Sequence, residues 1–219
     1  VQELGDMTFD SHRVLKDFFL SRMPPVEKRR MHLRAAAKLA RNEDAVSWLE
    51  AQQHLLKANA RNECAKAVVL NGVKIINKGL RREVEAILVE LDQGELEELQ
   101  QAELLLLRGY VAKLRGEWEN ALGNYQKALE IFEKEGNENK KADTLAKIGR
   151  VHLEQGKFDT AREYFDKGLG CLGKEPHIVR ARILDEQATI HLRKKELEEA
   201  RAKMNEAMKQ AKSLGDCEM

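Results

Sequence analysis

Six positions recur at a spacing of forty residues: Gly109, Gly116, Trp118, Ala121, Tyr125 and Ala128 are answered by Gly149, Gly156, Phe158, Ala161, Phe165 and Gly168. A looser third copy follows thirty-nine residues on, through Ala188, Leu197, Ala200, Met204 and Ala207. Self-similarity at a fixed period marks a chain built from one supersecondary unit used repeatedly. The question is what the unit is.

Residues Ala142 to Leu169 answer it most clearly. Leu145, Ile148, Gly149 and His152 fall at helical spacing and define a first helix with one packed face. Gly156 then stops that helix, because glycine takes the backbone angles of a tight turn at no steric cost. Phe158, Ala161, Phe165 and Leu169 form the inner face of a second helix. Gly149, Ala161 and Gly168 leave no bulk where the two axes come closest, and the phenylalanines fill the space beside them. The unit is a helical hairpin, and the chain is a stack of them.

Composition agrees. The only prolines are at 24, 25 and 176, so Val26 to Glu175 is free of the strongest helix breaker. Charged residues make up 34% and aromatics 5%, as expected where a thin core needs mainly Leu and Ala and every hairpin keeps a wet face. The net charge of +1 argues against a dedicated nucleic-acid binder. Cys64, Cys171 and Cys217 are odd in number and far apart, which argues against a disulfide framework or a zinc site and suits reduced cytosolic thiols. No apolar run is long enough to span a bilayer, so a soluble, cytoplasmic protein without membrane contact is expected.

Along the chain, residues 1–23 are the least repeat-like. Phe9, Val14, Leu15, Phe18, Phe19 and Leu20 make a short apolar helix closed by Pro24-Pro25, with Asp10-Ser11-His12 as its cap. Residues 24–94 read as degenerate helical repeats: Val26 to Ala40, Asp44 to Lys57, Asn62 to Ile76, and Glu83 to Leu91 with an end near Gly94. The segment around Asn59 looks like a worn repeat turn. Residues 95–219 hold the three clear copies. Nine Lys or Arg oppose two acids between Ser11 and Arg41, and eight acids meet no base from Glu83 to Leu107. The basic stretch reads as a solvated face or as a dock for an acidic surface or a phosphate.

Nothing offers paired catalytic carboxylates, a metal cluster or a nucleophile with its base, so no catalytic residue, metal or cofactor is expected. The stretch Gly168 to Lys174 has the glycine and lysine spacing of a phosphate-binding loop. It lacks the hydroxyl, since Glu175 follows, and it has no preceding strand; a helix C-terminus is the better reading.

The small residue, x3, aromatic pattern of Ala121-x3-Tyr125 and Ala161-x3-Phe165 resembles the tetratricopeptide repeat. The period exceeds the usual ~34 residues, a difference that longer second helices through Glu133 and Leu172 would absorb. Copy three has Lys195 for the turn glycine and Met204 for the aromatic. The resemblance implies an all-α, right-handed superhelix of antiparallel hairpins that acts as a non-catalytic protein-interaction module. It also implies that the first helices line a concave groove, through Glu103, Leu106, Tyr110 and Lys113, then Asp143, Ala146, Arg150 and Leu153, then Arg182, Asp185, Thr189 and Leu192. Family members that clamp a terminal carboxylate use Lys and Asn where Leu106 and Tyr110 stand, which argues against that ligand. The expected partner is a peptide or helix held by Leu106, Tyr110, Lys113, Arg150, Leu153, Arg182 and Asp185, with Tyr110 and Arg150 at the centre. The last helix, Leu197 to Leu214, carries an apolar face that a further repeat or self-association is expected to bury.

A second resemblance covers Phe9 to Ala65. The order DSHRVLKDFF, EKRRMHLRAAAKLA and HLLKANA before the repeats is similar to the junction of STAND-type signalling ATPases, where a winged-helix segment leads into a helical sensor. It implies a sensor region, and offers the alternative of a receptor for a small inducer.

Overall fold

Six turns among the described residues share one backbone geometry, and it is the geometry of a helix ended by a left-handed residue. Gly79, Gly116, Gly136 and Gly156 have φ between 64 and 91°, and Asn59 and Lys195 have φ of 53 and 62°. At each, the amide after the left-handed residue reaches five residues back, as Lys157 N does to His152 O at 2.9 Å and Glu196 N to His191 O at 2.9 Å. This double-bonded ending satisfies carbonyls that a helix otherwise leaves open. The worn turn at Asn59 and the glycine-free turn at Lys195 therefore work as the glycine turns do.

The computed structural model describes residues 18, 21–92, 96–173, 175 and 177–216. Among them are ten helices: α1 Pro25–Leu39, α2 Ala45–Lys57, α3 Arg61–Asn77, α4 Arg81–Leu91, α5 Glu98–Leu114, α6 Trp118–Lys134, α7 Glu138–Glu154, α8 Phe158–Cys171, α9 Ile178–Arg193 and α10 Leu197–Asp216. Of the expected apolar helix, Phe9, Val14, Leu15, Phe19 and Leu20, with the cap Asp10-Ser11-His12, lie outside the described residues, as do Gly94, Lys174 and Cys217. Local chemistry sets the starts. Pro25 stands at the first position of α1, where a missing N–H costs nothing. Asp44, Asn137 and His177 cap α2, α7 and α9 by accepting from Ser47 N, Lys140 N and Val179 N.

The chain divides after Glu95 into two compact units. The first holds α1 to α4 around Ala51, Cys64, Ala65, Val68, Val84 and Leu91, each 0 or 1% exposed. Burial pushes the Cys64 thiol up to about 12, so it is a packing residue and not a reactive one.

The second unit is the hairpin stack α5/α6, α7/α8 and α9/α10. Helices α5, α6 and α7 are each 17 residues long and α8 has 14, so the lengthening lies in both helices of the first hairpin and in the first helix of the second. Two core clusters run through it. One joins Ala121, Tyr125, Leu129 and Phe132 to Leu145, Ile148 and Val151 of the next hairpin. The other joins Ala161 and Phe165 to Val179, Ile183 and Ile190. The first two hairpins thus bury their apolar faces on the following first helix.

The small residues are where close approach requires them. A Cβ on Gly109 would stand 2.3 Å from Tyr125 Cε1, and one on Gly168 would meet Ile183 Cδ1 at 3.0 Å and Ala142 O at 3.2 Å. The glycines of the phosphate-loop lookalike thus belong to the last turn of α8 and the residues after it, with Gly168 in a helix contact. In copy three the pair has changed at both ends. Ala188 replaces the glycine and is 1% exposed, and Met204 replaces the ring and is 43% exposed. The methyl of Ala188 occupies space that a ring would need.

The candidate interaction surface

The expected binding residues lie on the first helices α5, α7 and α9, but they divide into two groups. Leu106 is 9% exposed, Ala146 4% and Leu153 0%. Leu106 and Leu153 belong to the two core clusters. The expectation that they offer apolar patches to a partner is therefore corrected: they face the packing between hairpins.

Five of the others, Glu103, Lys113, Asp143, Arg150 and Arg182, form a ladder of ion pairs between successive first helices. Glu103 of α5 accepts from Lys140 of α7 at 2.7 Å, and Lys113 of α5 donates to Glu154 of α7 at 3.0 Å. Arg150 donates to Glu154 on its own helix at 2.9 Å and to Glu186 of α9 at 2.5 Å. Arg182 of α9 pairs with Asp143 of α7, which also holds Lys147 at 3.2 Å. Arg193 adds a hydrogen bond to Leu153 O at 3.3 Å. Tyr110 is half-buried, with Lys113 Nζ 5.5 Å from its ring centroid. Asp185 is exposed and Leu192 is 46% exposed.

These contacts make Glu154, like Asp143, an acceptor shared by two bases. Burial alone would raise the Glu154 carboxyl, but hydrogen bonds from Arg150 and Lys113 outweigh that and hold it below the usual value. Burial likewise works against the Arg150 charge, and its two carboxylate partners overcome it and raise the guanidinium. Arg150 therefore arrives at the surface already engaged. Its role in the stack is to tie α7 to α9, which sequence reasoning missed along with Glu154, Glu186 and Lys140. The signal was present: each cross-helix pair joins opposite charges one period apart, give or take one helical turn, as in Lys113 and Glu154 or Asp143 and Arg182.

The geometry defines a class, an all-α helical-hairpin repeat whose first helices present a charged surface. Comparison with known proteins agrees: residues 100–172 match the tetratricopeptide repeat family. Among solved structures, MamA is similar at 20% identity and a TM-score of 0.58, covering 83% of this chain and 96% of that one. The pilF protein of Pseudomonas aeruginosa is similar at 16% identity and a TM-score of 0.58, covering 87% of this chain and 81% of that one. At such identities the likeness concerns the fold. No curated protein sequence matches the chain. No helix among the described residues is long and apolar enough to cross a membrane.

Proposed function

We propose that this protein is a non-catalytic interaction module that holds a peptide or helix of a partner protein against the first helices of its repeats. Folds of the tetratricopeptide type commonly mediate protein–protein interaction, and the family match over residues 100–172 supports that level of description. The observation that carries the finer reading is the character of the α5/α7/α9 surface. Tyr110, half-buried on α5 with Lys113 Nζ 5.5 Å from its ring centroid, is the aromatic of that surface, and Arg150 of α7 and Arg182 and the exposed Asp185 of α9 carry its charges further along the first helices. An amphipathic ring rimmed by charges is the usual composition of a binding centre. Since Leu106 and Leu153 are enclosed, the partner's grip is polar around Tyr110 and owes little to apolar patches.

The reading extends to a larger protein. The order of segments from Phe9 to Ala65 supports placement as the sensor region of a STAND-type signalling ATPase. Self-association through α10 is a further part of the proposal, supported by Leu197, Met204 and Met208 at 66, 43 and 55% exposure. The test is direct: with a partner isolated, Tyr110→Ala weakens binding by about tenfold or more, the cost of losing one central aromatic. Unchanged affinity, with melting temperature also unchanged, would place the partner elsewhere.

A further inference from the structure

The first unit contains an open groove of about 450 Å³ between α2 and α4 that plays no part in the surface described above. Leu49, Leu56 and Ile87 line its apolar part, while Lys57 stands on one wall and Glu83 and Glu90 on the other. Its volume falls within the range of ~300–1,000 Å³ typical of occupied binding pockets. The walls are regular. Lining residues recur at 49, 53 and 56 on α2 and at 83, 87 and 90 on α4, so each helix offers a ridge two turns long, roughly 10 Å. A pair of such ridges over an apolar floor is the seat into which the side chains of a third helix pack.

Charge narrows the occupant. In the second unit, carboxylates facing a neighbouring helix are answered by bases, as Glu103 is by Lys140 and Glu154 by Lys113. Glu83 and Glu90 have no ion-pair partner among the described residues, although they stand two turns apart on one face. Among the lining residues one base stands against two acids, which leaves the lining net negative, and Arg61 adjoins it by donating to the Glu90 carbonyl at 2.5 Å without pairing with either carboxylate. We propose that this groove docks an amphipathic helix of another protein, one that places a leucine-type stripe on Leu49, Leu56 and Ile87 and basic residues against Glu83 and Glu90. This site is separate in sequence and in chemistry from the Tyr110 surface.

The probes are two stapled helical peptides of about 14 residues with the same Leu stripe at helical spacing, one flanked by Lys and the other by Glu. Anisotropy of the labelled peptides is titrated with the full chain. The basic peptide binds saturably, and its acidic twin binds about three- to tenfold more weakly, the effect of two exposed ion pairs. Ala86→Arg, at an exposed groove position, abolishes binding while circular dichroism and melting temperature stay as in the parent. The double variant Glu83→Gln, Glu90→Gln removes the preference between the twins. Tyr110→Ala changes nothing here. Equal binding of the twins, no saturable binding of either, or binding that survives Ala86→Arg overturns the proposal; so does loss of binding in Tyr110→Ala, which would assign the peptide to the other surface.

Discussion

Gly149 lies under the ring of Phe165 so closely that a Cβ at this position would stand 2.6 Å from Cε1. Gly109 and Tyr125 repeat the relationship one period earlier. The hairpin owes its close crossing to this pairing of no side chain with a large flat one. Gly149→Ala or Gly109→Ala therefore lowers stability by about 1–3 kcal/mol through overpacking, against the ordinary helical preference for alanine. Gly123, in the middle of α6 with open space where its Cβ would be, provides the contrast. Gly123→Ala raises stability by about 0.5–1 kcal/mol. Urea unfolding of the three variants checks both signs; stabilisation in all three would contradict the packing.

Lys195 takes the left-handed backbone that its counterparts Gly116 and Gly156 adopt without strain. Lys195→Gly is expected to raise stability by up to about 1 kcal/mol, and Gly156→Ala to lower it by about the same amount. Melting curves decide this, with opposite shifts in the two variants as the expected outcome.

Arg150 connects Glu154 to Glu186 across two helices. Arg150→Glu sets a third carboxylate between them. With the Arg150 side chain 40% exposed, solvent screening limits the loss to about 1–2 kcal/mol, and added salt reduces it. Arg150→Met keeps the aliphatic stem and costs less than about 1 kcal/mol. Because Arg150→Glu carries this stability cost, Tyr110→Ala is the cleaner probe of binding.

His32 Nδ1 lies 2.7 Å from His54 Nδ1 between α1 and α2. Burial first, then the charges of His54 and Lys57, hold the His32 imidazole below its ordinary 6.5. His152, stacked on Tyr164, is also lowered, by burial and then by Lys157. Unfolding lets both take up protons more readily, so their contribution to stability is complete above about pH 6.5 and declines as pH falls through the lower folded values. The urea midpoint is expected to drop between about pH 7.5 and about pH 5.5, and to drop less in His32→Gln. An equal pH response in that variant would separate the histidine pair from the effect.

Much of the stack was legible because its causes are local or periodic. Glycine at 116 and 156, small residues at 121 and 161, and rings at 125 and 165 each do in space what their spacing in sequence requires. The turn at Lys195 was visible as a departure, and its left-handed backbone follows from the repeat around it, not from lysine's own preference. What sequence could not place was depth. Leu106 and Leu153 occupy positions that the family pattern assigns to a groove, yet the close crossing of neighbouring hairpins encloses them. The ion-pair ladder escaped notice for a related reason: its partners lie about forty residues apart, where helix-face reasoning within one segment does not look.

The first-helix surface around Tyr110 is the proposed binding place of a partner protein. A photo-crosslinking residue placed at 110, with a control at the exposed Glu130 of α6, tests it most directly. One dominant crosslinked protein is expected from position 110, competed by the unlabelled chain and absent from position 130. Equal crosslinking at both positions, or none at 110 while a partner is demonstrably bound, would contradict it.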